Sequence, residues 1–187
     1  MQIFITGGCK TGKSTLAQKL AVKMRPCGRP LYYIATMKPA DKEDLERIAR
    51  HRRERAGLGF ETVEAHGDIR EILRRDTEGF FLFDSVTALL ANEMFPGDGS
   101  FDSNAHQKVM RDMDALLSTI RNIAVVSDYI HSDARAYDSM TEIYRFGLAG
   151  VHRHLARVCG AVVETCCGNY ILHKGSADFQ HILYAVS

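Results

Sequence analysis

The sequence Gly7-Gly8-Cys9-Lys10-Thr11-Gly12-Lys13-Ser14 decides the fold of this chain. It matches the pattern G-x-x-x-x-G-K-[ST], in which glycines let backbone N–H groups curl around phosphates. An apolar run at 2–6 precedes it, and a helix pattern at 13–24 follows and points its positive end at the loop. A glycine-rich turn without a ligand is the alternative, but the strand–loop–helix context favours a P-loop. Lys13 is then expected to contact the β- and γ-phosphates of a nucleotide, and Ser14 to hold Mg²⁺.

Strand patterns and helix patterns alternate along most of the chain. Such alternation predicts the α/β class, with a mostly parallel sheet flanked by helices. The last strand patterns follow one another without a helix, which predicts an antiparallel C-terminal edge. The 187 residues are expected to form a single P-loop NTPase domain. The predicted strands are 2–6, 31–36, 60–65 (an edge strand), 79–83, 123–127, 161–166, 169–173 and 181–186; the predicted helices are 13–24, 41–56, 86–95, 106–121 and 141–159.

Composition narrows the classes of partner. The formal net charge is +1, so no overall field draws the chain to nucleic acid or to anionic lipid. No apolar run approaches the roughly 20 residues that a membrane span needs, and no basic lead of a signal peptide precedes the first strand. The five cysteines lack the paired spacing of a zinc site, so we expect free thiols in a reducing cytoplasm.

Two acidic residues end apolar strand patterns. Asp84 follows the apolar run 80–83, where a P-loop enzyme needs an acid to help hold its metal; capping of the next helix is the alternative. Asp128 follows 123–127 in the same way and is interpreted as either a substrate contact or a loop cap. In a parallel sheet both acids emerge at the carboxyl edge, where ligands bind. The sequence contains no Asn-Lys-x-Asp motif, so a bound guanine must be recognised by other means.

A basic helix pattern surrounds one histidine. Arg47 lies one turn before His51 and Arg55 one turn after it, so all three share a face of the helix. Guanidinium groups there are suited to hold phosphates, and an imidazole nitrogen can attack phosphorus to give a phosphoramidate. On pattern alone, a solvated charged face is the simpler interpretation. The arginines are Arg47, Arg50, Arg52, Arg53 and Arg55.

The first half of the chain resembles the bifunctional adenosylcobinamide kinase/adenosylcobinamide-phosphate guanylyltransferase family of cobalamin synthesis. The resemblance is carried by Thr6-Gly7-Gly8, Gly12-Lys13-Ser14, Tyr33-Ile34-Ala35-Thr36, Asp41, Glu43, Arg47-Ile48, His51, Arg55, Thr62, Glu64 and the strand leading to Asp84. It continues more loosely to near Lys174. The resemblance implies a P-loop protein with a mixed sheet that assembles as a trimer. It also implies phosphorylation of the aminopropanol hydroxyl of adenosylcobinamide, followed by transfer of GMP from GTP through a guanylylated histidine, at the position of His51.

The resemblance also implies a set of site residues. His51 and Lys13 are expected to be catalytic, and Ser14 and Asp84 to hold Mg²⁺. GTP or ATP is expected as the nucleotide substrate. Acceptor choice stays open because the sequence departs from the family's usual residues at Phe60, at Ser127-Asp128 and at Gly168-Asn169. The implied nucleotide contacts are Gly7, Gly8, Cys9, Lys10, Thr11, Gly12, Lys13, Ser14, Ala35, Thr36, Met37, Arg52, Arg53, Glu54, Arg55, Glu64 and Asp84.

Two other functions fit the same patterns. One is a monofunctional P-loop kinase of a small hydroxyl compound, in which His51 is only solvated. The other is a non-catalytic nucleotide-binding protein that retains the fold. Covalent GMP on the protein is expected only from the guanylyltransferase.

Overall fold

Runs of consecutive apolar residues form the central strands, because a strand covered on both faces buries every side chain. Residues 80–83, for example, are buried throughout. The computed structural model describes residues 1–39 and 41–186, without the side chains of Arg47 and Glu54. Its strands are β1 (Gln2–Gly7), β2 (Leu31–Ala35), β3 (Phe60–Glu64), β4 (Phe80–Asp84), β5 (Ile123–Asp128), β6 (Ala161–Cys166) and β7 (Asn169–Lys174).

The seven strands form one sheet in the order β3-β2-β4-β5-β1-β6-β7. All neighbouring strands are parallel except β6 and β7, which pair antiparallel. The fold class and the antiparallel C-terminal edge are therefore confirmed, and β3 is an edge strand as predicted. Six strands end at the same edge of the sheet, where Gly7 lies opposite both Asp128 and Thr165.

Helices cover both faces of the sheet. The described residues form six α-helices, and a short 3₁₀ helix spans Ile69–Arg74. Side chains of α3, α4, α5 and the 3₁₀ helix build the core on one face, and those of α1 and α6 build it on the other. None of the helices in the described ranges is both long and apolar enough to cross a bilayer. The α-helices are α1 (Lys13–Met24), α2 (Lys42–Glu54), α3 (Val86–Met94), α4 (Ala105–Thr119), α5 (Ser139–Val158) and α6 (Ala177–Val186).

The predicted strand at 181–186 is wrong, because this segment belongs to α6. The apolar residues are spaced for a helix: Phe179 and Leu183 lie one turn apart, and both are buried against the sheet and α1. The hydroxyl of Ser176 accepts a hydrogen bond from the Phe179 N–H at 3.2 Å and so supports the first turn. The 3₁₀ helix was not predicted, because six residues are too few to show a period in the sequence.

Candidate active site

The loop between β1 and α1 is shaped by glycine and by contact with β6. A Cβ atom on Gly7 would overlap the carbonyl and hydroxyl oxygens of Thr165, so no larger residue fits there. Gly12 ends the loop in the left-handed region, at φ 90°. The Thr11 hydroxyl donates to the Gly8 carbonyl at 2.8 Å and lies 2.6 Å from the Thr165 hydroxyl. These contacts hold the loop in a turn around the start of α1, where backbone N–H groups attract anions.

Lys13 carries the charge of this loop. Its side chain is almost fully buried, and its Nζ donates to the Gly8 carbonyl at 2.6 Å. The same Nζ forms an ion pair with Asp128 Oδ1 at 2.8 Å. The register of β1 and β5 produces this pair, since it places Asp128 opposite Gly7. A phosphate bound in the loop would compete with these two oxygens for the ammonium group.

A pocket opens at the carboxyl ends of β2, β3 and β4, beneath α2. It brings together most of the residues predicted to contact nucleotide outside the P-loop. His51, Arg52 and Arg55 reach it from α2 and its C-cap, and Glu64 and Asp84 reach it from the ends of β3 and β4. Its lining is Tyr33, Ala35, Met37, Pro39, Leu45, Ile48, His51, Arg52, Arg55, Thr62, Glu64, His66, Asp84, Ser85 and Ala88.

Arg55, Tyr33 and Asp84 form a fixed stack at the floor of the pocket. The Arg55 guanidinium lies 3.9 Å from the centroid of the Tyr33 ring, a cation–π contact, and donates to the Thr62 hydroxyl at 3.2 Å. The Tyr33 hydroxyl donates to Asp84 Oδ2 at 2.8 Å. Burial lowers the pKa of Arg55, whereas Tyr33 and Asp84 act in the opposite direction. The stack therefore presents a buried positive charge to any phosphate in the pocket.

Asp84 is not the cap of α3. That position belongs to Ser85, whose hydroxyl accepts from the Ala88 N–H at 3.3 Å. The cap alternative for Asp84 is therefore wrong. Asp84 and the half-buried Ser14 are hard oxygen donors of the kind that Mg²⁺ prefers when phosphates and water complete its shell. Within residues 1–39 and 41–186, no three His, Cys, Asp or Glu side chains are grouped to hold a metal by themselves.

The rim of the pocket is held by exposed ion pairs. Arg52 lies 2.8 Å from one Glu64 oxygen, and His66 lies 3.7 Å from the other. The side chains of Arg52 and Glu64 are both more than half exposed. Such pairs contribute about 0.2–1 kcal/mol, so a ligand can exchange their partners at little cost.

Several predicted residues lie elsewhere. Thr36 is fully buried and exchanges two 2.7 Å hydrogen bonds with the backbone of Ser85, so it fixes the turn after β4. Arg53 is exposed and is not among the lining residues. The side chains of Arg47 and Glu54 lie outside the described part of the structure. Cys9 and Lys10 are exposed on the P-loop itself.

Some site residues have no local sequence signal. His66 and Ser85 line the pocket, but each sits in a loop without a recognisable motif. Thr165 shapes the P-loop from 154 residues away along the chain. Only the strand order, which the sequence does not state, brings Thr165 to this place.

The P-loop and the pocket are separate centres at one edge of the sheet. The P-loop follows β1, whereas Asp84 ends β4, and β5 lies between these two strands. Neighbouring strands are about 4.8 Å apart, so the two centres are offset by roughly 10 Å or more. One centre presents Lys13 to phosphates, and the other presents His51 with arginines.

The fold and the loop define the class: a P-loop nucleotide-binding protein with an α/β sheet. The fold is similar to that of the flagellar accessory protein FlaH from Methanocaldococcus jannaschii, with a TM-score of 0.52 and 14% identity, covering 94% of this chain and 78% of that one. It is also similar to a KaiC-like protein from Pyrococcus horikoshii OT3, with a TM-score of 0.51 and 15% identity, covering 94% and 79%. At this identity the similarity shows the fold alone.

The family follows from the sequence. The model of the cobinamide kinase / cobinamide phosphate guanyltransferase family matches residues 3–172, and the chain belongs to this family. It is also 28% identical over 181 residues to the bifunctional adenosylcobalamin biosynthesis protein CobP of Pseudomonas aeruginosa, covering 94% of this chain and 98% of that protein. The predicted resemblance is confirmed, and with it an enzyme of the kinase and nucleotidyltransferase class in cobalamin biosynthesis. The non-catalytic alternative is thereby set aside.

Proposed function

We propose that this chain phosphorylates adenosylcobinamide and then transfers GMP from GTP to the product through a guanylylated His51. The observation that carries the proposal is the pair of phosphate-directed centres at one edge of one sheet. A monofunctional kinase needs only the P-loop. It has no use for a histidine and buried arginine in a second pocket.

In the kinase step, the P-loop holds the β- and γ-phosphates. Loop N–H groups and Lys13 stabilise the charge that develops on the transferring group. The acceptor oxygen forms a bond to the γ-phosphorus, the bond from that phosphorus to the bridging oxygen breaks, and the nucleoside diphosphate leaves. Ser14 would hold Mg²⁺ at the P-loop, and Asp84 would contribute to the same metal from the neighbouring pocket, so Mg²⁺ is the element that the two centres share. When bound, the ion neutralises phosphate charge.

In the guanylyl step, a ring nitrogen of His51 attacks the α-phosphorus of GTP. A nitrogen–phosphorus bond forms, the bond to the β-phosphate oxygen breaks, and pyrophosphate leaves. A phosphate oxygen of adenosylcobinamide phosphate then attacks the same phosphorus and releases His51. Arg52 and Arg55 line the same pocket as His51, and their charges would offset the phosphate charge during both displacements.

Because the sequence lacks an Asn-Lys-x-Asp motif, other residues must recognise guanine. Glu64 lines the pocket, and an ionised carboxylate only accepts hydrogen bonds. The adjacent N1–H and amino group of guanine are donors, whereas adenine presents an acceptor at N1. We therefore assign Glu64 to the guanine edge, which predicts that GTP is preferred over ATP in the guanylyl step.

Labelled nucleotide tests the proposal. The purified enzyme is incubated with Mg²⁺ and GTP that carries ³²P at either the α or the γ position, with and without adenosylcobinamide. The α-label is expected on the protein in an acid-labile linkage when the acceptor is absent, and the γ-label is expected on the acceptor. If the acceptor is labelled but the protein is not, the proposed guanylyl transfer is wrong and the chain is a monofunctional kinase.

A further inference from the structure

Asp128 and the pocket beside it take no part in the steps described above. We propose that this pocket receives the corrinoid acceptor of the kinase step, and that Asp128 takes the proton from the acceptor's hydroxyl group. The inference rests on the proposed kinase activity. It adds the acceptor site and the proton acceptor, which the P-loop itself does not supply.

The position of Asp128 is fixed from three directions. Its carboxylate lies 2.8 Å from Lys13 Nζ, the group expected to contact the transferring phosphate. Its backbone N–H donates to the Thr87 hydroxyl at 2.7 Å. The next residue, Tyr129, donates its N–H to the carbonyl of Gly7 at 2.8 Å. The carboxylate is about one fifth exposed, so it faces the surface at the mouth of the P-loop.

A cavity of about 450 Å³, which we call the tyrosine pocket, opens next to Asp128. Its size falls within the common range of ligand pockets, about 300–1,000 Å³, so it can receive one edge of a corrinoid while the rest of the ring system lies over the surface. Tyr129 and Tyr137 present partly exposed rings to it, and Tyr144 forms its inner wall. The Tyr144 hydroxyl donates to the Thr87 carbonyl at 2.9 Å. Thr87 therefore joins the pocket wall to Asp128.

The lining of the tyrosine pocket disfavours a polyphosphate. Its described lining residues include a single cation, Arg145, and that guanidinium is buried and already bonded. It donates to Glu142 at 2.7 Å, to Asp133 at 2.8 Å and to the carbonyl of Ile130 at 3.2 Å. No positive charge is left over for a nucleotide, so the pocket suits an uncharged or weakly cationic ligand.

The same lining suits a corrinoid. A corrinoid is a broad ring system fringed with amide groups, and its aminopropanol arm ends in the hydroxyl to be phosphorylated. Aromatic rings bind its apolar faces, and the hydroxyl oxygens of the pocket accept hydrogen bonds from its amide N–H groups. With the ring at the tyrosine pocket, the arm is directed along Tyr129 towards Asp128 and the P-loop.

The proton transfer balances the phosphoryl transfer. The hydroxyl oxygen bonds to the γ-phosphorus, its proton passes to a carboxylate oxygen of Asp128, and the nucleoside diphosphate leaves. Asp128 is free for this role once Lys13 turns to the phosphates, because the ammonium then has stronger partners than the carboxylate. A positioned carboxylate of this kind contributes about 10²–10⁴-fold to a rate.

Two variants test the two parts of the proposal, with Asp114→Asn on the surface of α4 as the matched control. Asp128→Asn keeps the size of the side chain but accepts no proton. Its kcat for phosphorylation is expected to fall by about 100-fold or more, while formation of protein-bound GMP stays within about threefold of wild type. Tyr129→Ala is expected to weaken cobinamide binding, measured by equilibrium dialysis from the corrinoid absorbance, by about tenfold. Asp114→Asn is expected to change neither measurement.

The outcomes separate this inference from the proposed function. Phosphorylation by Asp128→Asn within about threefold of wild type would overturn the role of Asp128. An Asp128→Asn variant that instead loses nucleotide binding would assign Asp128 to the nucleotide site and also overturn its role as proton acceptor. Unchanged cobinamide binding by Tyr129→Ala would overturn the acceptor pocket. If the wild-type enzyme binds cobinamide through Tyr129 but does not phosphorylate it, the proposed kinase activity is wrong. The role of Asp128 is then wrong as well, whereas the acceptor pocket is supported.

Asp128 forms an ion pair with the buried Lys13, so Asp128→Asn could destabilise the fold. The thermal unfolding of the variant is therefore measured to show that it is folded. Asp128→Glu restores a carboxylate and is expected to recover part of the phosphorylation rate. Equal loss in the Asn and Glu variants, with both folded, would mean that the carboxylate is not the acting group.

Discussion

At the scale of single residues, the edge of the sheet next to Asp128 is held by a buried histidine. His152 Nε2 lies 2.7 Å from the Ser127 hydroxyl, and its Nδ1 lies 3.1 Å from Nε2 of His131. Its ring packs edge-on against Phe4. Burial, with a smaller contribution from His131, lowers the pKa of His152 to about 3. His152 is a hydrogen-bonded core residue and stays neutral at physiological pH.

This burial predicts a pH-dependent stability. In the unfolded chain the pKa of His152 is about 6.5, whereas in the folded chain it is about 3. The unfolded chain therefore binds the proton first, so the free energy of unfolding is highest above pH 6.5 and decreases as the pH falls towards 3. Between pH 7 and pH 5 this group alone should remove about 2 kcal/mol from the free energy of unfolding. Urea unfolding followed by circular dichroism at both pH values measures the difference.

His152→Gln is expected to be less stable at pH 7 but to lose less stability on acidification. His154→Gln, two residues further along α5 and bonded to Asp114 at the surface, is the control and should behave like the wild type. The same pH dependence in His152→Gln and in the wild type would contradict the assignment of a buried neutral imidazole.

At the scale of elements, the sequence predicts helices and strands wherever a period or an apolar run is long enough. α1 and β6 have the predicted bounds, and the other correctly predicted elements differ by one or two residues at an end. The error at 181–186 arises because a short apolar segment fits either period, and only its packing on α1 decides between them. The pairing of β1 with β5 and β6 is a tertiary property and could not be derived from local pattern.

Helix α2 is the element on which the guanylyl step depends. It carries His51, yet its apolar side chains are few, and Leu45 is 56% exposed. Little packing therefore stabilises the helix, so its N-cap matters more than usual. Asp41 is that cap, and its Oδ1 accepts from the Asp44 N–H at 2.9 Å.

Asp41→Ala is expected to destabilise α2 by about 1 kcal/mol while leaving the sheet intact. Amide hydrogen exchange in α2 should accelerate about fivefold, with no change in β1. Asp41→Ser retains a capping oxygen and should remain close to the wild type. Exchange that rises equally in α2 and β1, or in neither, would contradict a locally capped helix.

At the scale of the whole molecule, the sheet order explains how one chain serves two reactions. The Lys13 centre and the His51 centre share the carboxyl edge but stand on different strands. The P-loop was predictable because its residues are contiguous in the sequence. The role of His51 was suggested by the resemblance of the chain to the family. The stack of Arg55 on Tyr33 and the pairing of Lys13 with Asp128 join distant parts of the chain and required the structure. Trimeric assembly and a cytoplasmic location stay predictions.

The variant His51→Asn tests whether the two centres act separately. Asparagine keeps a polar side chain but has no imidazole nitrogen to form a phosphoramidate. We expect no acid-labile ³²P on this variant after incubation with α-labelled GTP. Phosphorylation of adenosylcobinamide from γ-labelled GTP should stay within about threefold of wild type. His173 is an exposed histidine on β7, and His173→Asn serves as the control, which should keep both activities. If His51→Asn still accumulates protein-bound GMP, or if it loses phosphorylation and guanylylation together, the account of two separate centres is wrong.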